Sequence, residues 1–148
     1  RPYNWESDQI KSDIYKKIMS KMDIIIGNDL EFNIANNSPD GFQLTKHFIK
    51  EKPSIIVYKM GEKGSRVFTK EKEFEFGIFK VDAIKPTGAG DAFNGGFISS
   101  LYQGFPLEES IKRGSANAAL VVTKVGCSSA MPNNDELEKF INQKSMET

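Results

Sequence analysis

Ile10, Ile14, Ile18 and Met22 recur every four residues, which is one face of an α-helix, and the spacing predicts a first helix over about 8–22. Asp23-Ile24-Ile25-Ile26-Gly27 breaks that period. A continuous apolar run between two breakers suits a short strand covered on both faces. Ser38-Pro39-Asp40 then reads as a helix start, with Ser38 as cap and Pro39 in the first helical position. Phe42, Thr45, Phe48 and Ile49 supply the inner face of that helix, and Pro53 ends it. Ser54-Ile55-Ile56-Val57-Tyr58 is a second buried strand. Gly61 and Gly64 flank a turn into Ser65–Thr69, and beyond a Lys/Glu tip Phe74, Phe76 and Ile78 alternate, so a hairpin is expected with its aromatics in the core.

Further along, Phe93, Phe97, Ser100 and Leu101 follow directly on Gly88-Ala89-Gly90. A tight turn therefore opens onto a helix that runs to about Gln103, with Gly104 as its stop. Pro106, Glu108 and Glu109 open another helix. Its face of Leu107, Ile111, Gly114, Ala118 and Val122 is rich in small side chains that permit close packing, and Gly126 ends it. Asn133 with Glu136 three residues on is a capping box, and Leu137, Phe140 and Ile141 carry the last helix. The tail after Gln143 is expected to fray. Alternating buried strands and helices with one hairpin predict an α/β layered fold whose central sheet is mostly parallel. There is no internal repeat or low-complexity linker.

Composition narrows the class. A chain of 148 residues can bury one core. Twenty basic and twenty acidic residues cancel, so no bulk field favours nucleic acid or a membrane surface, and neither is expected as a partner. No apolar run approaches the length of a membrane span and the start carries no signal-peptide pattern, which reads as a cytoplasmic enzyme. The single cysteine, Cys127, excludes an internal disulfide and suits a reducing compartment. His47 has no His or Cys companion for a zinc site and is read as a surface or packing residue.

Chemistry is concentrated in Lys85-Pro86-Thr87-Gly88-Ala89-Gly90-Asp91-Ala92-Phe93-Asn94-Gly95-Gly96. The free backbone N–H groups of a helix start form an anion site. Asp91 lies in the first turn, where a carboxylate with no chemical task is also well placed against the helix dipole. The glycines decide between these readings. A simple cap needs no Gly-x-Gly before it, whereas a phosphoryl group approaching the backbone does, with a carboxylate beside it to take the acceptor hydroxyl's proton. The dinucleotide pattern Gly-x-Gly-x-x-Gly fails here because its third glycine would fall on Phe93.

This dodecamer resembles the C-terminal signature of the PfkB (ribokinase-like) carbohydrate kinases: a small-small-small-Asp run, Gly88-Ala89-Gly90-Asp91, then Gly95-Gly96 and the apolar pair Phe97-Ile98. Within the family it is most similar to the sugar-acid kinases of inositol breakdown. Three details carry that likeness: the opening Arg1-Pro2-Tyr3-Asn4-Trp5, the triplet Lys85-Pro86-Thr87 where ribokinases have an Asp-led one, and Gly126-Cys127-Ser128-Ser129-Ala130-Met131-Pro132. The resemblance implies a ribokinase-like fold, with 1–148 as the C-terminal part of a single kinase domain, and ATP-dependent phosphorylation of a primary hydroxyl of a sugar or sugar acid. Asp91 would be the general base, and Gly88, Ala89 and Gly90 the anion hole.

Asn28-Asp29-Leu30-Glu31, at the end of the first strand, resembles the family's Asn-x-x-Glu motif, which implies that Asn28 and Glu31 order Mg2+ and its waters. The competing reading is that Asn28 and Asp29 cap the next helix. Lys59-Met60-Gly61-Glu62-Lys63-Gly64 lacks Walker spacing but resembles the family's strand-end nucleotide loop, making Lys59, Gly61, Lys63 and Gly64 candidates for ATP. Ser115 lies where many relatives place an Asn near adenine, and Asn117 is two residues on, so both are candidates for the nucleotide. Cys127 is read as a packing residue or loop neighbour of the nucleotide, and Arg1 as a contact to an acceptor carboxylate or a cation stacked on Tyr3 or Trp5. A homodimer is compatible with the family. The alternative function is a non-catalytic nucleotide-binding or assembly fragment, since the acceptor pocket of such kinases belongs mainly to their N-terminal half. This chain alone is accordingly expected to be inactive.

Overall fold

The computed structural model describes residues 8–144, which divide between Glu75 and Phe76 into two compact units. The first unit begins with α1 (Asp8–Met19), β1 (Ile24–Asn28), α2 (Asp29–Asn36) and α3 (Phe42–Phe48). It continues with β2 (Ile55–Lys59), one 3₁₀ turn (Gly61–Lys63), β3 (Ser65–Thr69) and β4 (Glu73–Phe76). The sheet order is β1-β2-β3-β4. β1 and β2 are parallel, with Ile24 opposite Ile55 and Asn28 opposite Lys59, and β3 returns antiparallel to β2. The α/β expectation holds, with the parallel pair at the start of the sheet and the hairpin at its other side.

The core of this unit is Met19, Phe32, Ala35, Leu44, Phe48, Ile56, Tyr58 and Phe68. Its rings meet edge-on and tilted: Phe42 stands at 88° to Tyr58 with centroids 5.3 Å apart, and Phe32 lies 5.0 Å from Tyr58. Burial, and secondarily the carboxylates of Asp29 and Asp40, raise the Tyr58 pKa above its ordinary value, so the hydroxyl stays protonated.

Three sequence expectations change here. α1 stops at Met19, and its periodic stripe stays half-exposed: Ile10, Ile14, Ile18 and Met22 are 42–46% accessible. The helix meets α2 through fully buried Ser12, whose hydroxyl donates to the Ala35 carbonyl at 2.6 Å, and through buried Met19. Spacing identified the helix but not the side by which it docks. The expected helix start at Ser38-Pro39 is instead a turn, in which Ser38 Oγ accepts from the Asp40 N–H at 3.2 Å, and α3 begins only at Phe42. The reason is local: α2 occupies 29–36 and ends on Asn37 in the left-handed region, so the chain must reverse before it can start again. α3 also stops at Phe48, five residues before Pro53.

The second unit contains α4 (Ala89–Tyr102), α5 (Leu107–Val122), a 3₁₀ turn (Ser128–Ala130) and α6 (Asn134–Gln143). α4 stops at Gln103 and Gly104 as its sequence predicts. α5 ends at Val122, four residues before Gly126. Phe79, Ala116, Ala119, Leu137 and Ile141 form one buried cluster, and Ala92, Val121 and Ala130 another. Phe97 is fully buried, and truncating such a ring to Ala costs about 3–5 kcal/mol.

Candidate active site

The start of α4 is built to stay open. Gly88 holds φ 92° and ψ −7°, in the left-handed region that a glycine enters without steric cost, and no side chain caps the helix. The Gly88 carbonyl accepts from the Ala92 N–H at 2.9 Å, closing the first helical turn. Of the three residues expected to donate to an anion, Ala89 already directs its N–H to the Pro86 carbonyl at 3.3 Å. The N–H groups of Gly90 and Asp91 have no acceptor among the described residues. Asp91 thus brings a backbone donor that the sequence motif did not reveal, alongside an exposed carboxylate in the first turn.

Behind this turn lies the end of α5. The Val122 carbonyl accepts from the N–H groups of both Ile84 and Lys85, at 2.8 and 3.2 Å, which anchors the strand-like approach to the glycines. The Cys127 thiol donates to the Thr87 carbonyl at 3.9 Å, and a Cβ added to Gly88 would lie 3.5 Å from Cys127 Sγ. Cys127 is therefore a packing neighbour of the Thr87-Gly88 turn. Ser115 is half-buried on α5. Asn117 faces α4, where its amide donates to the Ala92 carbonyl at 2.7 Å. Two residues on a helix point about 200° apart, so Ser115 and Asn117 cannot both face one nucleotide.

In the first unit the parallel pairing of β1 and β2 sets Asn28 beside Lys59 at the carboxyl ends of both strands. That edge is where open α/β sheets bind ligands. The chain turns there twice. After β2, Gly61 and Gly64 take positive φ and the Met60 N–H donates to the Gly64 carbonyl at 2.8 Å, closing a small loop that carries exposed Lys63 at its tip. After β1, Asn28 caps α2 with a full capping box: its Oδ1 accepts from the Glu31 N–H at 2.9 Å, and Glu31 Oε2 accepts from the Asn28 N–H at 2.7 Å. The capping geometry named as the competing reading is thus present, and it engages one carboxylate oxygen of Glu31, Oε2. No group of three or more His, Cys, Asp or Glu side chains clusters among the described residues. One carboxylate beside one amide fits a hydrated magnesium ion, which favours oxygen donors and keeps several of its waters. Arg1 lies outside the described residues.

The description of the pfkB family of carbohydrate kinases matches residues 1–145. The chain belongs to that family. It is 38% identical over 147 residues to the 5-dehydro-2-deoxygluconokinase of Photobacterium profundum, an alignment that covers 95% of this chain and 44% of the relative. Its fold is similar to that of the ribokinase of Thermotoga maritima, at TM-score 0.78 and 30% identity, over 86% of this chain and 44% of the other. A protein from E. coli solved with ATP and Mg2+ matches at TM-score 0.82 and 23% identity, over 91% of this chain and 44% of the other. The chain thus spans less than half the length of each of these pfkB kinases and kinase-like folds. Among the described residues no helix is long and apolar enough to cross a membrane.

Proposed function

We propose that the full-length protein phosphorylates a primary hydroxyl of a sugar acid with ATP, and that this chain carries the phosphoryl-transfer half of the site. The observation that carries the reading is the uncapped start of α4, with unfilled N–H donors at Gly90 and Asp91 and an exposed carboxylate on the same turn. Asp91 accepts the proton of the acceptor hydroxyl as that oxygen bonds to the γ-phosphorus. The bond from that phosphorus to the β–γ bridging oxygen breaks, and ADP leaves with the electron pair. The backbone of Gly88 and Gly90, joined by the N–H of Asp91, holds the charge on the transferring group while the Ala89 N–H stays on the Pro86 carbonyl, in a reaction governed by position and electrostatics rather than by a covalent intermediate. Lys59, Gly61, Lys63 and Gly64 receive the nucleotide. Asn28 and Glu31 would hold hydrated Mg2+, which when bound neutralises phosphate charge. Membership of the family supports the reaction class, and the name borne by the Photobacterium profundum relative supports 5-dehydro-2-deoxygluconate as the acceptor. Arg1 supplies a guanidinium for the acceptor's carboxylate.

The test is ATP-dependent phosphorylation by the full-length protein of 5-dehydro-2-deoxygluconate against ribose and fructose. We expect the sugar acid to be preferred in kcat/KM, with Arg1→Ala raising KM for the acid more than for its neutral analogue. A protein that binds ATP but turns over none of the three acceptors would overturn the reading.

A further inference from the structure

An uncapped helix start is a poor place for a base that must hold its position. The first turn of a helix has few backbone bonds of its own and frays readily, while a catalytic group needs placement to within about 0.5 Å. No side chain caps the α4 start, since Gly88 offers none, and only the backbone bonds of Ala89 to Pro86 and of Ala92 to Gly88 hold it locally. The steadying contacts come from α5.

The two helices touch backbone to backbone. A Cβ added to Gly96 would lie 2.9 Å from Asn117 Cβ and 3.1 Å from the Arg113 carbonyl oxygen, and one added to Gly114 would lie 3.0 Å from the Phe93 carbonyl oxygen. No side chain fits between them, so the crossing point is fixed. From it, two residues of α5 spaced one turn apart reach in opposite directions along α4. Arg113, which is buried, donates from Nε to Ser100 Oγ at 3.2 Å, and Ser100 in turn donates to the Gly96 carbonyl at 2.6 Å. Its other end pairs with Glu138 Oε1 on α6 at 2.5 Å, and its guanidinium lies 4.4 Å from the Phe105 ring centroid. Asn117 reaches the other way and donates from Nδ2 to the Ala92 carbonyl at 2.7 Å. Ala92 is the residue after Asp91, it is fully buried, and its own N–H closes the turn on Gly88. Asn117 therefore ties the turn that carries Asp91 to the rigid crossing.

We propose that Asn117 is a positioning residue for the phosphoryl-transfer step, acting through the Ala92 carbonyl to set where the Asp91 carboxylate stands. The inference rests on the reading of Asp91 as the base, and it gives Asn117 a role other than touching the nucleotide. Its amide also meets a carbonyl that the helix already uses, so its value lies in orientation more than in satisfying a bare group.

The experiment uses the full-length protein with ATP and 5-dehydro-2-deoxygluconate, comparing Asn117→Ala, which keeps the Cβ against Gly96, with the near-isosteric Asn117→Asp, which cannot donate. Displacing a reacting group by about 1 Å costs on the order of a hundredfold in rate, so we expect kcat to fall 10- to 100-fold in both variants. KM for ATP should change less than twofold, and the melting temperature should stay within a few degrees. A rise in KM for ATP with kcat retained would place Asn117 on the nucleotide and overturn the proposal. A lower melting temperature with unchanged kcat would overturn it too. Should one variant fail to fold, the other carries the comparison. Asp91→Asn separates the two layers. If that variant alone keeps the full rate, the reading of the base fails. If it loses the rate but Asn117→Ala costs the same factor with Asp91 and with Asn at that position, the base stands and the positioning role falls. If Asn117 acts through Asp91, its effect disappears in the Asp91→Asn background.

Discussion

The helices α2, α4 and α6 begin in opposite ways. α2 and α6 each start on an asparagine, Asn28 and Asn133, whose side chain accepts from the N–H three residues on, and a glutamate, Glu31 or Glu136, returns a bond to the cap's own N–H. α4 starts on Gly88 with no side-chain cap at all. A cap of this kind stabilises a helix by about 1 kcal/mol, so α4 forgoes a gain that α2 and α6 collect. The teaching is that acidic residues in a first turn are not equivalent. Glu31 and Glu136 are bound back into their own helix starts, whereas Asp91 sits exposed beside donors that have no acceptor among the described residues.

The largest effect that would test this contrast comes from Asp91→Asn in the full-length protein. Loss of a general base typically costs 10²–10⁴-fold, and we expect a fall of that order in kcat with nucleotide affinity nearly intact. Equal losses in both would show that Asp91 binds rather than reacts. Next is Gly88→Ala. It forces a side chain into the left-handed region, which costs about 1–2 kcal/mol, and the turn can escape only by shifting the donors of Gly90 and Asp91. We expect at least a tenfold drop in kcat/KM, measured alongside a modest fall in melting temperature. Unchanged kinetics would mean that the open helix start serves no anion.

What could be read from the chain follows the same division. The Gly88–Asp91 turn, the extent of α4 and the Asn133 box were legible because each is local: glycine, cap and period lie within a few residues. The direction in which α1 docks was not. Ile10, Ile14 and Ile18 announce a helix, but fully buried Ser12 makes the contact with α2, and only the tertiary neighbour Ala35 explains why a polar residue is the better fit. Arg113 is a second case. A cation within a helix reads as a solvated face, yet here Glu138 on α6, Ser100 on α4 and the Phe105 ring from the segment before α5 surround it. Asn117 was read, with Ser115, as a candidate for the nucleotide, and its contact with Ala92 spans 25 residues. No spacing rule encodes that distance.

A smaller effect is expected where a cap and a ligand role share a residue. Glu31→Gln keeps an oxygen that can accept from the Asn28 N–H, so the capping box survives while the charge is lost. Stability should stay within a few tenths of a kcal/mol, as for most exposed substitutions. The Mg2+ concentration giving half-maximal rate should rise several-fold. A large loss of stability with unaltered magnesium dependence would return Glu31 to a purely structural part, as its capping geometry alone would have it.

The smallest effect belongs to the helix start with no chemical task. Asn133→Ala removes the oxygen that accepts from the Glu136 N–H at 2.9 Å, and should lower stability by about 1 kcal/mol with kcat and both KM values unchanged. Acid titration refines this. The Glu136 carboxyl is held below its ordinary value of 4.5, first by the Asn133 N–H and then by Lys124, whose Nζ lies 3.2 Å away. A carboxyl lowered by folding stabilises the protein above that ordinary value, and its contribution disappears as the pH falls through the lower folded value. Asn133→Ala leaves the backbone N–H of that position in place, so the loss of stability in acid should persist in this variant. In Glu136→Gln the part of it due to this carboxyl should vanish. If Asn133→Ala instead slowed catalysis as Gly88→Ala is expected to, the two kinds of helix start would not differ in function, and the openness of α4 would no longer mark the site.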